Sequence, residues 1–234
     1  MTHVKICGFQ TPEAAAVAAE AGADAVGLVF VPTARRRVTV VQAEAIVGTL
    51  RSRGLKEVVG MFADQPAQEV NMIAEGLKLD AVQLCGAEGM GYCKEMRVPI
   101  YKVIAIDPAI PISAQLPKLM VLLQRHTLAG HRPVLDTKVN GEYGGTGRRF
   151  EWELAADLAQ AFQLTLAGGL TPDNVADAVR TVRPWGVDTS SGVETDGEKD
   201  AYRVRAFVNA VRDSDEALRG GVLRRLFSRS GGRR

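Results

Sequence analysis

The stretch Gln163–Gly192, QLTLAGGLTPDNVADAVRTVRPWGVDTSSG, holds one full period of the pattern that decides the fold. Its first part, Gln163–Gly168, is an apolar run that closes on a glycine pair, Gly168 and Gly169. Thr171 then stands as a cap before Pro172, with Asn174 following, and predicts a helix over Pro172–Val182. A second apolar run, Gly186–Ser190, carries a single acid, Asp188, and closes on Ser191 and Gly192. Both runs are nearly continuous rather than alternating, as expected of parallel strands covered on both faces.

The same period recurs in both directions. Further strands are predicted at Val4–Gly8, Asp24–Val31, Glu57–Phe62, Ala81–Cys85, Ile100–Ile106 and Pro133–Thr137. Helical stretches lie between them at Pro12–Ala21, Val40–Leu50 and Ala67–Leu77, the first two preceded by cap residues Thr11 and Thr39. Eight strand–helix units in 234 residues fit an α/β fold, a single (β/α)8 TIM barrel near the short end of its usual size. An open doubly wound sheet alternates in the same way, but no GxGxxG follows the first strand. No interior linker interrupts the pattern, which gives one barrel domain over 1–212 and a basic extension over 213–234.

Composition is that of a globular chain, with 46% hydrophobic and 24% charged residues. No run approaches the roughly 18 apolar residues of a membrane span, and MTHVKICGFQ has no export-signal pattern. The formal charge of +2 is uneven: Ala217–Arg234 has six Arg and no acid, leaving 23 basic against 27 acidic residues, −4, on the body. That argues against a nucleic-acid enzyme, and the tail reads as a frayed, solvated extension. Cys7, Cys85 and Cys93 are odd in number and lack a CxxC spacing, so neither a disulfide framework nor a metal site is expected and a cytoplasmic location fits.

In a parallel barrel, chemistry collects where strands end and βα loops begin. At those positions stand Lys5 and Cys7, Arg35–Arg37, Gln83 and Cys85, and Asp136 followed by Lys138 and the four-glycine loop NGEYGGTGRR. Glycines in both of the last two loops, with a Ser191 hydroxyl, favour a phosphate cradle over plain tight turns. Cys7 by itself reads as an inert core cysteine. Asp136, closing an apolar run, is either paired, with Lys138 as the candidate partner, or used as an acid. A thiol and a carboxyl across a barrel mouth make a base and acid pair, and the glycine-rich loop reads as a lid or a surface turn. One arginine of the run overhanging the mouth suits recognition of a carboxylate or phosphate.

Together, VKICGFQTPEAA, ADAVGLVFVPTARRRV, DAVQLCG, PVLDTKVNGEYGGTGRRFEW and LAGGLTPDNVADAVRTVRPWGVDTSSGVET resemble the phosphoribosylanthranilate isomerase family of tryptophan biosynthesis, from about Val4 to Val211. The resemblance implies a (β/α)8 barrel acting as a monomer or homodimer. The activity it implies is a cofactor-free Amadori rearrangement of a small-molecule phosphosugar, with neither nucleic acid nor membrane as partner. By position it implies Cys7 as general base, Asp136 as general acid and Arg36 as the contact for the anthranilate carboxylate. Gly168, Gly169, Ser191 and Gly192 match the phosphate cradle, with Asp188 beside it. Cys85 stands where the family commonly has His. The rival readings are a barrel isomerase using two aspartates on a substrate with two phosphates, and a barrel that binds a phosphorylated metabolite without turnover.

Overall fold

The computed structural model describes residues 1–107, 110–137 and 152–230. Eight parallel strands close into a barrel in chain order: β1 (His3–Cys7), β2 (Ala25–Val29), β3 (Glu57–Phe62), β4 (Ala81–Leu84), β5 (Ile100–Ile106), β6 (Arg132–Thr137), β7 (Thr165–Leu166) and β8 (Gly186–Thr189). The helices are α1 (Pro12–Glu20), α2 (Val40–Ser52), α3 (Ala67–Gly76), α4 (Met90–Cys93), α5 (Ile112–Leu128), α6 (Trp152–Ala161), α7 (Val175–Val182) and α8 (Ala201–Ser230). The predicted lid, NGEYGGTGRR, and Lys138 lie outside the described residues.

Local chemistry explains two of the helix starts. Thr11 accepts the Ala14 N–H with Pro12 in the first turn, and Thr39 with Gln42 forms a reciprocal capping box. The third expected start moves. Thr171 and Asn174 hydrogen-bond each other across a turn, so Pro172–Asn174 stay outside and α7 begins at Val175. Of the predicted Gln163–Gly168 strand, only Thr165 and Leu166 pair on both sides, because Gly168 and Gly169 turn the chain away at positive φ.

Outward faces of the strands pack against the helices, and inward faces fill the barrel in layers. Ala25, Val59, Ala81, Tyr101, Val134 and Ala167 form the inner apolar layer. At the N-terminal end a polar plug seals it. Glu57 takes His3 at 3.1 Å, Arg132 at 2.8 Å and the Tyr101 hydroxyl at 3.0 Å, while His3 stacks on Trp185. The opposite, C-terminal rim is left for loops.

The domain boundary expected at 212/213 falls inside a helix. Helix α8 continues through the 212/213 boundary to Ser230, and Ser214 and Asp215 are buried. The Asp215 carboxylate accepts both the N–H and the hydroxyl of Thr2, each at 2.7 Å. A chain ending at Asp213 should therefore lose the charged acceptor of a buried pair, about 1.5–3 kcal/mol per bond, and melt markedly lower. A chain ending at Gly220 should melt like the parent. Equal melting temperatures for the two truncations would refute the anchoring role of Asp215.

Candidate active site

Residues two apart on a strand share a face, so His3, Lys5 and Cys7 of β1 all point inward. Cys7 is opposite Gly27 on β2, and a Cβ at Gly27 would come within 2.2 Å of Cys7 Sγ. Glycine at that position is what gives the thiol its space. Across the seam with β8, Lys5 is in register with Asp188. Lys5 Nζ donates to Asp188 Oδ2 at 2.7 Å and also to Cys7 Sγ, and the thiol lies 3.6 Å from the same carboxylate oxygen. An ammonium with its side chain only 1% exposed needs this countercharge.

Burial first, and then the Asp188 carboxylate, push the Cys7 thiol up to about 12, with Lys5 pulling the other way. Burial works against the Lys5 ammonium, but Asp188 and Cys7 outweigh it and hold its pKa above the ordinary lysine range. The cluster at rest is thus a neutral thiol beside an ammonium–carboxylate pair. Asp188 was expected beside the phosphate cradle. Three residues before Ser191, it turns its side chain into the barrel, where it neutralises Lys5 and joins the thiol cluster.

Above Cys7 lies Arg36. Gly8, at φ +84°, closes β1, and a Cβ there would sit 2.4 Å from Arg36 Cδ, so the glycine lets the arginine lie across the strand end. The guanidinium grips Glu194 in a fork, Nε to Oε1 at 2.6 Å and Nη2 to Oε2 at 2.8 Å. Glu194 also takes Lys199 at 2.6 Å and Arg35 at 2.6 Å. Burial opposes its charge, but Arg36 and Lys199 dominate and hold the carboxyl down at about 2. Lys199 and Ser190 complete the rim: Lys199 Nζ donates to Ser190 O at 2.9 Å, and Ser190 Oγ donates to Cys7 O at 3.1 Å.

The two glycine loops adjoin one another. Gly168 and Gly169 have φ of +91° and +66°. Among the described residues, their backbone N–H groups have no hydrogen-bond acceptor. Successive N–H groups in such a conformation form a concavity suited to an anion. Asn174 Nδ2 holds Gly169 O at 3.0 Å, and Thr189 Oγ1 holds Leu170 O at 2.7 Å. Ser191 opens a short 3-10 turn, Ser191–Val193, containing Gly192. A Cβ on Gly192 would come within 1.8 Å of Leu170 O, so this glycine serves the contact between the two loops. Gly192→Ala should therefore lower stability, whereas Gly169→Ala should raise KM several-fold at a strain cost of about 1–2 kcal/mol. Unchanged KM in Gly169→Ala would remove that loop from the binding site.

Asp136 lies on β6 opposite Ala105, half-buried at the C-terminal end. Cys85, just past β4, is buried. Burial first raises its thiol to about 12, Gln83 and Lys5 pull it down, and Glu88 and Asp136 push it up. The thiol thus feels both Lys5 of β1 and Asp136 of β6, which brings strands one, four and six to a common mouth. The role of Lys5 as the charge beside Cys7, and Glu194 and Lys199 as partners of Arg36, went unread in the sequence. A lysine between Val4 and Ile6 was the available signal, since a cation in an apolar run demands a buried partner.

Residues 4–210 match the family model of N-(5'phosphoribosyl)anthranilate (PRA) isomerase. An N-(5'-phosphoribosyl)anthranilate isomerase of Roseiflexus castenholzii is 41% identical over 215 residues, spanning 89% of this chain and 97% of the relative. The crystal structure of phosphoribosyl anthranilate isomerase from Thermotoga maritima superposes with a TM-score of 0.80 at 32% identity, over 91% of this chain and 100% of that one. A phosphoribosyl anthranilate isomerase in complex with reduced 1-(o-carboxyphenylamino)-1-deoxyribulose 5-phosphate superposes at 0.76 with 30% identity, over 91% of this chain and 100% of the other. With the family model covering the whole barrel and Cys7, Arg36, Asp136 and both glycine loops set around one rim, the chain belongs to the N-(5'-phosphoribosyl)anthranilate isomerase family.

Proposed function

We propose that this chain catalyses the Amadori rearrangement of N-(5-phosphoribosyl)anthranilate to 1-(2-carboxyphenylamino)-1-deoxyribulose 5-phosphate, a step of tryptophan biosynthesis. Asp136 gives a proton to the furanose ring oxygen as the C1–O bond breaks, and the lone pair of the anthranilate nitrogen closes onto C1 to form a C1=N iminium. Cys7 then removes the C2 proton, and the electron pair of that C–H bond forms the C1–C2 double bond of an enolamine. Loss of the O2 proton and protonation at C1 give the ketose. Acid and base each contribute what a positioned proton-transfer group ordinarily supplies.

The observation that carries this reading is the Lys5–Cys7–Asp188 cluster. A neutral buried thiol is a poor base, and Lys5 is the fixed positive charge against which a thiolate is stabilised. The Asp188 carboxylate within reach of Sγ is a route for its proton. Gly168, Gly169, Ser191 and Gly192 hold the phosphate. Arg36 takes the substrate carboxylate, whose geometry Glu194 already reproduces in the fork. Turnover of synthetic N-(5-phosphoribosyl)anthranilate by the purified chain, followed by appearance of the ketose product, tests the reading. Binding of the substrate with no turnover would leave a metabolite-binding barrel instead.

A further inference from the structure

A second constellation of chemistry-bearing side chains lies outside the barrel, where nothing in the isomerase reaction uses it. Helix α5 ends in the sequence His126-Thr127-Leu128-Ala129-Gly130-His131. The His131 N–H donates to His126 O and the Gly130 N–H to Thr127 O, both at 3.0 Å, with Gly130 at φ +78°. This is a Schellman turn, and its geometry brings the side chains of its first and last residues together. Those positions ordinarily hold an apolar pair; here they hold two imidazoles, Nδ1 to Nδ1 at 2.9 Å. From a different element, the last residue of α4, Cys93 reaches the same point. One donor atom from each of Cys93, His126 and His131 lies within 4.8 Å of the other two.

We propose that Cys93, His126 and His131 bind a zinc-class divalent cation that ties α4 to the turn between α5 and β6. Thiolate and imidazole are the donors that zinc prefers. At bond lengths of about 2.0–2.3 Å, tetrahedral ligands stand about 3.3–3.6 Å apart, which small side-chain rotations reach from the observed spacing. Cys93 and His126 are buried and His131 is half-buried, so the fourth position faces solvent and falls to water.

Burial, then the neighbouring His131 and the cations Lys102 and Arg125, hold His126 near 4, and burial lowers His131. Both rings thus keep a lone pair at neutral pH. Binding releases one proton, that of the Cys93 thiol, while the proton shared between the rings moves to an outer nitrogen. Lys102, whose charge acts on both Cys93 and His126, is already neutralised by Glu88 at 2.6 Å. In the metal-free chain the imidazole pair is satisfied by its own hydrogen bond, and the fold does not depend on the ion.

Cobalt(II) added to the chelator-treated full chain is the direct probe. One equivalent should give tetrahedral d–d bands with a sulfur-to-cobalt charge-transfer band, zinc should bleach both, and the melting temperature should rise with zinc concentration. Cys93→Ser should abolish the charge-transfer band. His131→Gln should weaken binding by at least about 100-fold, more than an outer-sphere partner costs. Isomerase turnover of both variants should match the parent. His131→Gln, at a half-buried position, decides the matter if Cys93→Ser fails to fold. Absence of the charge-transfer band in the parent would overturn the proposal. So would a band that survives Cys93→Ser and disappears in Cys7→Ser, because the thiol would then be in the barrel mouth.

Discussion

Cys7→Ser should lower kcat by at least about 10²-fold while KM stays within a few-fold of the parent, because a proton-transfer group acts in the transition state. The hydroxyl fits the space that Gly27 leaves, so the melting temperature should not move. Asp136→Asn should do the same from the acid side. Cys85→Ser is the control: no step calls on a second thiol, and Gln83 Nε2, 3.7 Å from Cys85 Sγ, offers the new hydroxyl a partner. The resting thiol sits at about 12, so the reactive thiolate grows as pH rises and vanishes as it falls. For the parent, kcat/KM should climb from neutrality into the alkaline range, and Cys7→Ser should lose that climb. A serine variant within a few-fold of parental turnover would make Cys7 a core cysteine and sink the mechanism.

Lys5→Met is expected to be the most damaging single change to the fold. Methionine fills the lysine stem's space but strands the buried Asp188 carboxylate, and breaking such a pair costs about 3–5 kcal/mol. The thiol also loses the charge that opposes its deprotonation penalty, so turnover should fall with the Cys7→Ser value as its floor. Adding Asp188→Asn should recover a good part of the stability, since the stranded charge is gone, yet none of the activity. That split between melting temperature and kcat is the diagnostic. If Lys5→Met melts within about 1 kcal/mol of the parent, the cluster is not the electrostatic unit described above.

The barrel was legible because its strands are continuous apolar runs, and a parallel strand buried on both faces has no other way to be written. Boundaries were less so. β7 is two residues long although six read as strand, since Gly168 and Gly169 take conformations that no periodicity reveals. Cys7, Arg36 and the glycine loops were readable because each ends a strand or follows one. Their partners were not. Asp188 meets Lys5 across 183 positions, and Glu194 meets Arg36 across 158. Such pairs exist only through closure of the barrel. The domain boundary was hard to place for a similar reason: six arginines without an acid mark off the last stretch, while Asp215, just upstream of them, answers to Thr2 across 213 positions.

The seam between β1 and β8 also orders events while the chain is being made. Lys5 is translated 183 positions ahead of its carboxylate, and nearly the whole barrel is made between the two. Until then the first strand carries an ammonium that resists being buried, and a product stopped before Asp188 has no carboxylate across the seam to pair with it. Lys5 and Cys7, two apart on one strand, are neighbours from the start, but the carboxylate joins them only when β8 closes the ring, so the charge balance around the thiol is among the last features of the fold to be completed.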